Sequence, residues 1–294
     1  MIGVQSRQGR GHHIALKIGC VDIDVRSDLP EVIDDLAVLY RGSTGVVSDT
    51  TDPIHMEVKR TAHRLPARRR YVVFGDGEAF GEDVRRREVL PYLEWAVNWR
   101  VIARCTDCLL VHAASMARNG QGVIFAGQSG AGKSTLVAGL LARGWQYLCD
   151  EFAMIEVDTL RLLPFPKAVC VKAGAFDLIR RLNLRLCGNR HYIKVLKGPV
   201  SYISPSDFPP GAVASPCPLR HVVFPRYTGH SKVRIRPVTD ARAAFMLTSY
   251  TLNRDVLGEQ VATTASRIAR DAQCVILESG DLGETCDLVE SIVR

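Results

Sequence analysis

The stretch VIFAGQSGAGKSTLVAGLLARGWQYLCDEFAMIE, Val123 to Glu156, joins an apolar strand-like run, a glycine-rich loop, a short helix and an acidic pair. Within it, Gly127-Gln128-Ser129-Gly130-Ala131-Gly132-Lys133-Ser134 fits the spacing G-x-x-x-x-G-K-[ST]. Glycines let the backbone fold tightly, so that successive N–H groups point inward at phosphate oxygens, and the following helix adds its N-terminal dipole. In this reading Lys133 reaches the terminal phosphates, Ser134 ligates Mg²⁺, and Thr135 closes the set of loop residues that hold ATP. The alternative, an unoccupied glycine-rich turn, leaves the strand–loop–helix context without a purpose.

Working forward, the helix ends at Arg143-Gly144, where glycine suits the left-handed closing position. WQYLCDE then reads as a strand that ends on Asp150 and Glu151. If this strand runs parallel beside the one before the loop, its end reaches the same sheet edge, with Asp150 near the γ-phosphate. A carboxylate there can take the proton of an attacking hydroxyl. The competing reading is a pair that only holds Mg²⁺ through water in an ATPase. Further on, AMIEV and LRLLPF read as two strands, followed by a mixed stretch and the strand RHVVFP. Helices are expected around Ala241–Tyr250 and Val256–Asp271, and Asp281 with Glu284 forms a capping box that opens a terminal helix.

Working backward, CLLVHAASMA carries His112 on an apolar run. A lone histidine in such a strand is more often a core residue than a functional one. Val89 to Arg104 has Leu93, Val97 and Val101 at helical spacing, with Trp95 and Trp99 on a second stripe expected in core or inter-domain packing. Before this helix, IALKIGCVDIDVR reads as a half-buried strand, Pro30 as a helix start, and IHMEVKR and RRRYVVFGD as two more strands. The expected organisation is a small α/β module over residues 1–88 and a catalytic domain over residues 89–294.

The 294 residues include 47% hydrophobic and 23% charged side chains, as in ordinary soluble proteins. No apolar run is long enough to cross a bilayer, and the N-terminus lacks the apolar stretch of a secretory signal. Nine scattered cysteines suit free, buried thiols in a reducing compartment, so a cytoplasmic protein is expected. The pair in CTDC, Cys105 and Cys108, reads as helix-end packing in preference to a metal or redox site. The net charge of +7 gathers at Arg60–Tyr71 and Arg85–Glu88. These clusters suit a solvated basic face first and docking of an acidic peptide or protein second. Nucleic acid comes third, because no RNA-binding or helix-turn-helix pattern accompanies them.

His112, the loop 127–134, Arg143-Gly144 and Asp150-Glu151 fall in the order of the HPr kinase/phosphorylase family, which the chain resembles over roughly residues 90–290. It is most similar to HPr-kinase-related proteins of peptide-modification gene clusters. The helix segment EWAVNW and HVVFPRY, which contains Arg226, share the resemblance. It implies an α/β phosphate-loop kinase core similar to phosphoenolpyruvate carboxykinase, using ATP and Mg²⁺. It further implies Asp150 as catalytic base, Glu151 and Ser134 at the metal, His112 in the active site and Arg226 as a candidate for stabilising transferred charge. The acceptor implied is a hydroxyl, serine first, of a peptide or small protein such as a ribosomally made lasso precursor. Small-molecule kinase and acceptor-free NTPase switch are the alternatives. Related kinases assemble, so a homo-oligomer is compatible with the resemblance. The chain departs from the family in having Asp-Glu for Asp-Asp, and PKAVCVKAG where the family has Glu-x-Arg-Gly. Lys167 and Lys172 of that segment are candidates for nucleotide or acceptor contact, or for a solvated loop.

Overall fold

The computed structural model describes residues 11–44, 52–61, 69–229 and 232–293, with backbone alone at 188–191. The N-terminal ten residues, and positions 62–68 within the first basic cluster, lie outside the described residues.

The first sheet collects β1 (His12–Ile18), β2 (Val21–Ser27), β3 (Ile54–Arg60), β4 (Tyr71–Gly75) and β5 (Glu78–Val84) in that order, with α1 (Pro30–Leu39) crossing from β2 to its parallel neighbour β3. IALKIGCVDIDVR is therefore a hairpin and not one strand, because Gly19 adopts φ +60° and turns the chain. A Cβ on Gly19 would sit 2.1 Å from the Pro164 carbonyl oxygen, so this turn is pressed against the far part of the chain. Gly19→Ala should lower unfolding stability by roughly 1–3 kcal/mol through overpacking and left-handed strain. Urea unfolding checks this, and an unchanged midpoint would deny the contact.

The helix α2 (Val89–Arg104) lays Leu93, Val97 and Val101 on this sheet, in one core with Val25, Val58 and Val73. Trp95 and Trp99 lie two positions along from Leu93 and Val97, about 200° around the helix. They are accordingly 42% and 47% exposed, packed edge to face on each other instead of in the core.

A second sheet holds nine strands among the described residues. Its first elements are β6 (Cys108–Val111), β7 (Ala113–Arg118), β8 (Gln121–Ala126), α3 (Lys133–Leu141), β9 (Gln146–Cys149), β10 (Ala153–Glu156) and β11 (Arg161–Leu163). A separate three-stranded sheet follows from β12 (Val169–Lys172), β13 (Cys187–Lys194) and β14 (Gly198–Ile203), with α4 (Phe176–Arg181) between β12 and β13. The chain then returns to the second sheet with β15 (Cys217–Tyr227), β16 (Arg234–Pro237) and β17 (Gln273–Ser279). The helices α5 (Asp240–Tyr250), α6 (Arg254–Leu257), α7 (Gln260–Asp271) and α8 (Leu282–Ile292) complete it. The helix expected over Val256–Asp271 is broken at Gly258, which has φ +55°.

Alternation along β8 shows why its sequence is apolar from Val123 to Ala126. Val123 and Phe125 face the layer built from α3, α8 and the three-stranded sheet, while Ile124 and Ala126 face α5 and α7. A strand covered on both faces has no polar side to display. Asp281 caps α8 as expected, its Oδ1 accepting from the Glu284 N–H at 3.0 Å. All nine cysteines are free; Cys105, which closes α2, and Cys108, which opens β6, are buried, and Asn253 Nδ2 donates to both their carbonyl oxygens.

Candidate active site

The glycine loop spans the turn between β8 and α3, and Gly130 and Gly132 adopt φ +96° and +84°. A Cβ on either would meet nothing within 4 Å, so steric room is ample and it is the left-handed backbone that calls for glycine. Gly132 is the N-cap residue of α3, which aims the first turn of that helix at the cleft beside it.

β9 does not neighbour β8, contrary to the parallel-pair expectation. β7 lies between them and is antiparallel to both, so β8 and β9 still run in the same direction. The register places Ser115 of β7 opposite both Ile124 and Cys149, so the two strands end at one edge. The geometric result survives the changed topology: Ser134 Oγ donates to Asp150 Oδ2 at 2.8 Å.

A cleft of ≈ 810 Å³ opens over this edge. Its floor includes Ser129 through Thr135, Asp150, Glu151 and His112, and its opposite wall comes from β12 to β14. Lys133 Nζ donates to the carbonyl oxygens of Gly127 and Gln128 at 2.6 and 3.0 Å. Gly127 and Gln128 thus support the loop from behind and do not themselves line the cleft.

Burial pushes the Asp150 carboxyl up to about 7, and the charge of Glu151 adds to it, while the Ser134 hydroxyl and Lys133 pull the other way. Glu151 behaves oppositely. Burial raises it, but Lys194, Lys167, His112 and Lys197 together outweigh burial and hold it below the usual carboxylate range. Burial also lowers Lys133, against the pull of Asp150 and Glu151. Two adjacent carboxyls therefore occupy different proton states near neutrality, one poised to exchange a proton and one fixed as an anion. Burial, reinforced by Lys133, holds the His112 imidazole down to about 4, so it is neutral at pH 7.

The donor set fits a small hard cation. Asp150 Oδ1 is buried with no hydrogen-bond partner, Ser134 Oγ is hydrogen-bonded to the other oxygen of that carboxylate, and the neighbouring Glu151 is held as an anion.

Of the residues expected at the site, Ser129 to Thr135, His112, Asp150 and Glu151 are brought together in one cleft. Lys172 also lines it. Arg226 does not: it is exposed on β15 between Pro225 and Tyr227, and only those two neighbours reach the cleft. Lys167 is buried and turned to α2, its Nζ 2.8 Å from Glu94 Oε2 and 2.6 Å from Asn98 Oδ1. Instead of contacting nucleotide or acceptor, or lying in a solvated loop, Lys167 forms an ion pair that fastens the segment before β12 to α2.

Two lysines escaped sequence reading. Lys194 Nζ lies 3.6 Å from Glu151 Oε1, and Lys197 Nζ donates to Ser129 Oγ at 3.1 Å. Both come from the β13–β14 turn, IKVLKG, whose only sequence signal is a pair of lysines flanking a tight turn. They add positive charge to the cleft beside the glycine loop.

Similarity to known proteins is partial. A family profile described as SynChlorMet cassette protein ScmC matches residues 87–175, a span that includes α2, the glycine loop and the acidic pair. Among solved structures, the chain is similar to the Hpr(Ser) kinase/phosphatase from Coxiella burnetii, with 15% identity and a TM-score of 0.30. That similarity covers 63% of this chain and 93% of the other. No curated protein matches the chain significantly. No helix among the described residues is long and apolar enough to cross a membrane.

Proposed function

We propose that the chain is an ATP- and Mg²⁺-dependent kinase that transfers the γ-phosphoryl group to a hydroxyl of a peptide or small protein, serine first. The observation that carries this reading is a buried aspartate, titrating near 7, hydrogen-bonded to the serine that follows the loop lysine. A Mg²⁺ ion bound by Ser134 and Glu151 would neutralise charge on the transferring phosphoryl group. The chain's own groups do the rest. Loop N–H groups and the start of α3 orient the phosphates, and Lys133, Lys194 and Lys197 crowd positive charge around them. Asp150 receives the proton of the attacking hydroxyl, which its raised pKa suits at neutral pH. His112, neutral beside Lys133, can hydrogen-bond a substrate oxygen without adding repulsion.

A precursor peptide from the same gene neighbourhood, such as a lasso precursor, is the first acceptor to try. Incubation with γ-labelled ATP and Mg²⁺, followed by mass spectrometry of the peptide, should find one phosphoryl group on a hydroxyl side chain. A panel of neighbourhood peptides left unmodified would count against the peptide class.

The Ser134–Asp150 bond also supports a second reading, in which Asp150 only steadies a metal ligand in an NTPase. That reading expects brisk ATP hydrolysis without acceptor. Slow hydrolysis that an acceptor diverts into transfer favours the kinase.

A further inference from the structure

A second cleft, of ≈ 770 Å³, lies outside the loop region, between the end of β5 and the edge of β13. Six arginines line it against two carboxylates, Asp28 and Glu31. The carboxylates are already engaged. Asp28 Oδ2 accepts from the Arg60 backbone N–H, and Glu31 pairs with Arg86. Arg70 pairs with Asp83 at 3.2 Å. The guanidinium groups of Arg60, Arg69, Arg85 and Arg87 have no ion-pair partner among the described residues. Leu29, Tyr71 and Ile193 also line it, the first two almost wholly buried.

We propose that this cleft docks an acidic segment of the peptide or protein acceptor. Charge complementarity is the first argument, because unpaired guanidiniums recognise carboxylates by paired, charge-assisted hydrogen bonds. Within the same cleft, one Arg86 nitrogen already meets the Glu31 carboxylate. Chemistry also separates peptide from nucleic acid. Single strands bind on exposed aromatic faces along a basic groove, whereas Tyr71 is only 4% exposed and cannot stack a base.

Position supplies the link to the chemistry. The Ile193 N–H donates to the Arg87 carbonyl at 2.9 Å, which fixes β13 to the cleft rim. The next residue, Lys194, contacts Glu151 in the candidate active site. The two clefts thus share a strand, so an acceptor docked at one lies against the element that also lines the other. This inference rests on the kinase reading for its purpose but not for its test.

The test uses fluorescence anisotropy with the full chain, a labelled hexaglutamate peptide and a labelled hexathymidylate, without nucleotide. Hexaglutamate should bind in low salt, and Arg85→Ala with Arg87→Ala should weaken it about tenfold or more. Arg242→Ala with Arg270→Ala, exposed on the helices α5 and α7, should leave binding within about twofold. Charge reversal, Arg85→Glu with Arg87→Glu, should remove binding while the thermal unfolding profile stays unchanged. Equal loss in both alanine pairs would show non-specific attraction and overturn the proposal. So would tighter binding of hexathymidylate that is lost on the same substitutions. Because no transfer is measured, failure here leaves the kinase reading standing, and failure of transfer leaves the docking result standing.

Discussion

Asp150→Asn is expected to lower phosphoryl transfer by about 10²–10⁴-fold, while nucleotide affinity changes little. Asparagine keeps the shape and can still accept from Ser134, but it cannot hold a transferred proton. A loss confined to kcat at saturating acceptor and ATP therefore assigns the proton-accepting role. A loss seen instead as weaker Mg²⁺-nucleotide binding assigns Asp150 to the metal. In the wild type the rate should rise with pH through about 7, as the carboxyl ionises, and then level. The variant should lose that rise. Stability should move the other way. The folded chain keeps a proton on Asp150 up to about pH 7, whereas the unfolded chain releases it near 3.8. The group therefore favours folding fully below that lower value, and the contribution disappears as pH climbs through 7. Asp150→Asn removes the buried charge, so it should raise the melting temperature at pH 8 and change it little at pH 4. Those opposed shifts, activity down and stability up, are what a buried carboxylate retained for chemistry produces.

Lys167→Met is expected to cost about 3 kcal/mol of stability, because it leaves the half-buried Glu94 carboxylate without its cation. Lys167 is 2% exposed, and its ammonium is shared among Glu94 and Asn98 of α2. Tyr40 also donates to Glu94 at 2.8 Å, so the same carboxylate ties α1 into the joint. Pairing Lys167→Met with Glu94→Gln should recover a large part of the loss, since both charges then leave together. Chemical denaturation of the single and double variants measures the coupling directly. If Lys167 held nucleotide instead, the single variant would keep its stability and lose ATP affinity, and the Glu94 change would rescue nothing.

The parts of this molecule legible in its sequence are those decided locally. Glycine spacing, an apolar run before it and a helical run after it specify the loop, and Pro30 and Asp281 mark helix starts by capping chemistry. Placement of Asp150 was readable too, though for an incomplete reason. β7 intervenes between β8 and β9, and only because it opposes both do their ends share an edge. A hairpin partner of that kind leaves no local mark.

Contacts made across long sequence separations were not legible. Lys167 and Lys172 look alike in PKAVCVKAG, yet one is buried on α2 and the other lines the cleft. Strand alternation does not separate them, since the first precedes β12 and its partner Glu94 lies over seventy residues away. Lys194 and Lys197 resemble an ordinary surface turn until the three-stranded sheet folds over the loop. QCVILES lies between two helical patterns, and its strand character as β17 is set by parallel pairing with β15 along its whole length, over fifty residues away.

The most direct test is a crystal structure with Mg²⁺ and a non-hydrolysable ATP analogue. The γ-phosphoryl group should lie against Lys133 and Ser134, with an Asp150 oxygen close enough to hydrogen-bond a hydroxyl poised about 3–3.5 Å from phosphorus. Nucleotide bound in another cleft, or an Asp150 carboxylate pointing away with its only contact to the metal shell, would contradict the account.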